Sequence, residues 1–240
     1  MVWHPLANMQ NSDSTVGLAR AFLLALGQLG DPRLRAPLLK SLGLTLAAFA
    51  GLWIGLGFLL ARTKLFEQGW LDGTVDALGG LAALILSIVL FPAVVAAFLG
   101  VFLDEVAAAV EARHYPDLET PRVRPLWADV SAALQLVATA LALNLLVLPL
   151  YLVPGLNLLV FLATNGFLLA REYVTMSAAR RLDSPATRAL WRERRSQAWL
   201  AGIAFAALST VPVVNLAAPV VAVATTTHLV EGWRRAARNR

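Results

Sequence analysis

Charged residues fall in short clusters along this chain, and between them run four long stretches with no formal charge: Ser41 to Ala61, Ala77 to Leu103, residues 130–170 and residues 196–230. The first has 21 residues, bracketed by Lys40 and Arg62. As a helix it spans roughly 31 Å, enough for a hydrocarbon core of about 30 Å. The second is longer and carries Pro92, which predicts a kink or an end projecting beyond the bilayer. Asp104, Glu105 and Glu111 read as a solvated continuation of that helix, ending near Tyr115 and Pro116.

The third and fourth stretches are too long for one simple crossing, and each is interrupted near its middle. Pro149, Pro154, Gly155 and Asn157 break the third; Pro212, Asn215 and Pro219 break the fourth. The return arm Leu156 to Ala170 reaches only roughly 22 Å as a helix. The pattern predicts helical hairpins reaching partway into the membrane over 131–170 and 198–230, with Pro149, Pro154, Pro212 and Pro219 at their turns. Two full crossings joined by a buried turn are the alternative for the first. The predicted fold class is an all-α membrane protein: one integral membrane domain over 1–240, with two long transmembrane helices, 41–61 and 77–103, plus two membrane-inserted helical hairpins.

Before the first span, Val16 to Leu29 is apolar with one arginine, predicting a helix over 14–30 that lies at the interface or packs at the periphery. Met1 to Asp31 lacks the order of a cleaved signal. Gly43, Gly51, Gly55 and Gly57 put small surfaces on the first long helix, and the Gly51–Gly55 spacing suits close helix contact.

Composition agrees with lipid as the solvent. The chain is 58% hydrophobic and 15% charged, against about 25% charge in soluble domains. Its net charge of +5 sits largely in connectors beside apolar segments, which points to membrane orientation and contact with anionic lipid rather than to nucleic acid. The 171–195 connector has seven arginines and reads as a basic cytoplasmic flank; the 62–76 connector has two basic residues against three acids. Basic-residue bias therefore predicts cytoplasmic N and C termini and an external 62–76 loop. There is no cysteine, and His4, His114 and His228 lie far apart, so neither a metal site nor a disulfide is expected. No phosphate-binding loop, dinucleotide fingerprint or Ser-His-acid order appears, so neither an enzyme nor a cofactor is expected.

Four segments carry a resemblance. They are Gly30-Asp31-Pro32-Arg33-Leu34-Arg35, the acidic run Asp104-Glu105-Val106-Ala107-Ala108-Ala109-Val110-Glu111, Asn165-Gly166-Phe167-Leu168-Leu169-Ala170-Arg171-Glu172-Tyr173, and Val211-Pro212-Val213-Val214-Asn215-Leu216-Ala217-Ala218-Pro219. In order and local wording they resemble the CysZ-like sulfate-permease family and the related etoposide-induced membrane protein family, over roughly residues 14–235. The resemblance implies two long membrane helices, two inserted hairpins, further helical material on the cytoplasmic side, sulfate uptake, a bacterial inner-membrane location and a homo-oligomer. It also places an anion entrance at Pro32 to Arg35.

Arg33 and Arg35 are accordingly the first anion-binding candidates, since guanidinium groups make paired hydrogen bonds to oxyanions and exposed helix N–H groups can supplement them. Arg171 is a third. Asn165, Glu172, Tyr173 and Asn215 are candidates for polar pathway contacts or for support of the hairpins. The functional expectation is a membrane permease or channel for a small inorganic anion such as sulfate. The alternative is a non-transporting membrane scaffold or envelope-homeostasis protein.

Overall fold

The computed structural model describes residues 17–62, 69–123 and 125–238; these are mostly helical, joined by turns and by an irregular segment from Tyr115, with no strand among them. The helices are α1 (Leu18–Gln28), α2 (Pro32–Arg62), α3 (Gly69–His114), α4 (Leu126–Val147), α5 (Asn157–Ala179), α6 (Ser184–Ser209), α7 (Pro212–Asn215) and α8 (Ala218–Arg238). A 3-10 turn, Leu148–Leu152, follows α4. Among the described residues, Pro32–Phe58, Val130–Leu152 and Asn157–Ala179 are long and apolar enough to cross a membrane, and Ala77–Phe91 is a further apolar helical piece.

The expected boundaries shift in physically readable ways. The 77–103 span lies inside a 46-residue helix that continues through position 92. At 1.5 Å per residue, α3 is roughly 69 Å long, over twice the hydrocarbon core. Its outer part exposes Ile85, Ile88 and Val89, whereas Leu103, Val106, Ala107 and Val110 are buried. The 171–195 segment is the end of α5, a turn, and the first half of α6. Asp183 caps α6 by accepting from the Ala186 amide at 2.8 Å, and Pro185 stands in its first turn, a favourable N-terminal pairing.

The turn prolines fall where the chain reverses. Pro149 is in the 3-10 turn and Pro154 follows it; Gly155 then takes φ +85°, a region open to glycine, to start the return. Pro212 opens α7, and Pro219 stands in the first turn of α8. The apolar part of α5 before Arg171, residues 157–170, covers roughly 21 Å, and that of α6 after Arg195 reaches a similar length. By contrast α4, with 22 residues, spans roughly 33 Å.

One end of the molecule is a packed base. There α8 is enclosed by α1, α3, α5 and α6, and an unbroken run from Val220 to Trp233 is buried. Helix α1 buries Ala21, Ala25 and Gln28, spaced to form one helical face, while Leu23 and Leu26 remain exposed. Phe22 stacks on Phe205 of α6 with centroids 5.7 Å apart. The start of the 14–30 segment lies outside the described residues. The other end holds the two hairpin turns, flanked by exposed apolar side chains such as Ile54, Leu145 and Leu152.

Close helix contact occurs at Gly166 and Gly202, not at the glycines of α2. A Cβ at Gly43, Gly51, Gly55 or Gly57 meets nothing within 4 Å. A Cβ on Gly202 would collide with the Gly166 carbonyl oxygen, so the α5 and α6 backbones touch there. Gly202→Ala should therefore lower the unfolding midpoint in detergent by the equivalent of about 3 kcal/mol or more, whereas Gly51→Ala should leave it within about 0.5 kcal/mol. Thermal melts of the two purified variants compare them directly.

Candidate functional site

The anion candidates occupy two separate places. At the start of α2, Asp31 accepts the Arg33 amide at 2.9 Å through Oδ1, and its Oδ2 lies 3.0 Å from the Arg113 guanidinium. These donors hold the Asp31 carboxyl below its usual range, the Arg33 amide contributing most. The Leu34 and Arg35 amides donate to the Asp31 carbonyl. The expected helix N–H donors are thus already used by Asp31, whose carboxylate stands where an external anion would have bound them. Arg35 Nε donates to the Leu29 carbonyl at 2.9 Å. Arg33 and Arg35 are both exposed. Two positions apart on a helix, they project roughly 200° from each other.

Arg171 is elsewhere, half-buried between the arms of the first hairpin, where it donates to Thr139 Oγ1 at 2.6 Å. Its neighbour Glu172 faces outward without a cation at ion-pair distance among the described residues. Tyr173 is buried and meets Phe205 edge-on at 6.1 Å. Asn165 Nδ2 donates to the Phe161 carbonyl of its own helix at 3.0 Å. Asn215 ends α7 at the second hairpin turn, its amide donating to the Val211 carbonyl at 2.7 Å. The structure brings Arg33 and Arg35 to one turn and Arg171, Glu172 and Tyr173 to one stretch of α5, and keeps both groups apart from Asn215.

Sequence reasoning missed a buried charge cluster. Glu111, expected on a solvated helix, is 7% exposed. Its carboxylate binds Arg180 at 3.0 and 3.2 Å and Arg181 at 2.5 Å. Arg180 also reaches Asp104 at 2.9 Å, and Arg181 donates to the Glu119 carbonyl. The overturned expectation has a simple cause: α3 leaves the lipid region but remains packed against the base, so its inner face is protein. The signal was there in part, because Asp104 and Glu111 lie seven residues apart and share a helical face. Lys40 and Glu105 pair at 2.7 Å on the outside, with both side chains about half exposed.

These pairs predict unequal costs. Glu111→Ala leaves two poorly solvated guanidinium groups without their partner and should cost about 3–5 kcal/mol. Glu105→Ala should cost less than about 1 kcal/mol. Denaturant titration in micelles separates the two.

A second buried polar group joins α3 and α8. Tyr115 Oη and His228 Nδ1 are 2.9 Å apart, and the His114 ring meets His228 edge-on at 4.8 Å. Arg235 lies over the Tyr115 ring and pairs with Asp117. These charged neighbours place His228 in the base, beyond the apolar part of the hairpin. Burial, reinforced by His114, depresses His228 to about 3, while burial raises Tyr115 to about 12. His228 is therefore neutral near pH 7.

The unfolded chain protonates this histidine near its ordinary value of about 6.5, whereas the folded chain resists until about 3. Between those values the unfolded state binds more protons, so stability falls as pH falls. His228→Gln should flatten this decline by on the order of 3 kcal/mol, read from melts taken between pH 7 and pH 4.

Exposed apolar helices around a charged, buried base define a multi-span helical membrane protein. The family model for Sulfate transporter CysZ/Etoposide-induced protein 2.4 matches residues 21–219. The chain belongs to that family, a transporter-type family of membrane proteins. No curated protein matches the chain.

Proposed function

We propose that the protein is a permease or channel for a small inorganic anion, with sulfate the first substrate to test. The carrying observation is the family match, which extends from α1 through both hairpins to the start of α8. The arginines add a chemical rationale. Arg33 makes no side-chain pairing among the described residues and is exposed near the start of α2, so its guanidinium is free to receive an oxyanion. Arg171 is a buried-side cation on an apolar hairpin, a costly placement that favours a role in handling charge.

The reading puts the basic base and both termini in the cytoplasm of a bacterial inner membrane, with the hairpin turns directed into the bilayer. The short apolar reach of α6 supports partial insertion of the second hairpin. Lipid and further copies of the chain would cover the exposed apolar faces of α2, α3 and α4 in a homo-oligomer.

Purified protein reconstituted into liposomes should raise radiolabelled sulfate influx above protein-free vesicles. Arg33→Ala and Arg35→Ala should each lower that flux about tenfold, the loss expected from one charge-assisted contact, without changing insertion. Folded protein that moves none of a panel of inorganic anions would reject transport and favour the scaffold role.

A further inference from the structure

The base contains a cavity of about 280 Å³ that none of the anion candidates lines. Its walls come from the segment before α4, the first turns of α4, the end of α5 and the start of α6. Arg122, before α4, and Arg188, on α6, both line it; both are exposed, and neither side chain forms an ion pair among the described residues. The segment carrying Arg122 is fixed in place, because the Arg122 amide donates to the Arg180 carbonyl at 3.0 Å.

The remaining polar lining favours an acceptor-rich guest. Thr187 is 6% exposed, lines the wall and has no hydrogen-bond partner for its hydroxyl. The one described acid in the lining, Asp183, has Oδ1 committed to the α6 cap. Two unpaired guanidinium groups and an unsatisfied hydroxyl against one engaged carboxylate make an oxyanion-binding balance.

The position of the cavity identifies the source of that oxyanion. Trp127 is on its rim and is 72% exposed; one and two turns further along α4 come Val130 and Leu134, which are exposed apolar residues of the candidate span. An exposed tryptophan beside arginines at the end of an apolar helix is the arrangement of a headgroup-level boundary. A guest whose charged end fills the cavity can therefore lay an apolar tail along α4.

We propose that this cavity holds the phosphate headgroup of an anionic phospholipid between Arg122 and Arg188, with an acyl chain against the exposed face of α4. The assignment is independent of whether the protein conducts an anion. It gives the hairpin a fixed depth: the lipid ties the α4 entry to the α5–α6 turn at the level of the headgroups.

The test titrates the full-length protein in micelles with phosphatidylglycerol or phosphatidylcholine, reading bound lipid by native mass spectrometry. A parallel arm titrates inorganic phosphate by calorimetry. Phosphatidylglycerol should bind more tightly than phosphatidylcholine, and Arg122→Ala/Arg188→Ala should weaken it about tenfold or more, at about 1 kcal/mol for each arginine, with the melting temperature preserved. If that variant melts early, Arg188→Gln alone should still show a weakening of about fivefold. Equal binding of the two lipids, or a variant that binds phosphatidylglycerol like the parent, overturns the proposal. Arginine-dependent binding of phosphate without any of phosphatidylglycerol keeps the oxyanion site and overturns lipid as its source.

Discussion

Hydrocarbon cannot solvate charge, and nearly every arrangement in this fold follows from that constraint. The described chain reversals are of two kinds. The charged ones, between α1 and α2, between α3 and α4, and between α5 and α6, gather at the base. The hairpin turns carry prolines, glycine and asparagine instead of charges. With charge kept out of the hairpin turns, α8 can run through the middle of the base, with Glu111, Arg180 and Arg181 fastening the surrounding helices.

Packing then does different work at the two ends. Between the apolar arms and the base, α5 and α6 approach until the Gly166 and Gly202 backbones meet, and small residues such as Ala170, Ala198 and Ala201 fill the contact without side-chain bulk. Water is excluded from the base by protein, so His228 and Tyr115 satisfy each other instead of ionising. Toward the turns, large apolar side chains face outward. Burial of apolar surface against protein holds the base together; lipid replaces much of that partner beyond it.

Much of this was legible in the sequence. Charge-free runs located apolar helices, and Pro149, Pro154, Pro212 and Pro219 marked the breaks between them, because proline acts locally on the chain. The family wording extended the reading to function. Less legible was which face of a helix meets protein. Gly51 and Gly55 have a contact spacing yet touch nothing, while Gly166 and Gly202, 36 residues apart in sequence, make the close crossing. Glu111 appeared solvated because its partners are supplied from the turn after α5. Among the site candidates, sequence could group Arg33 with Arg35; it could not show that Asp31 already consumes the helix amides, or that Arg171 would be held by Thr139 on the other arm.

Lipid around the outer helices is the claim on which transport, topology and the headgroup site all rest, and the chain's lack of cysteine makes it directly measurable. Single cysteines at Ile54, Ile88, Leu145 and Arg188, each an exposed position, can be treated in native membranes with a membrane-impermeant maleimide delivered to both faces. The account predicts rapid labelling at 188 and protection at 54, 88 and 145. Equal labelling at all four would mean that water surrounds those helices, contradicting the account at its foundation.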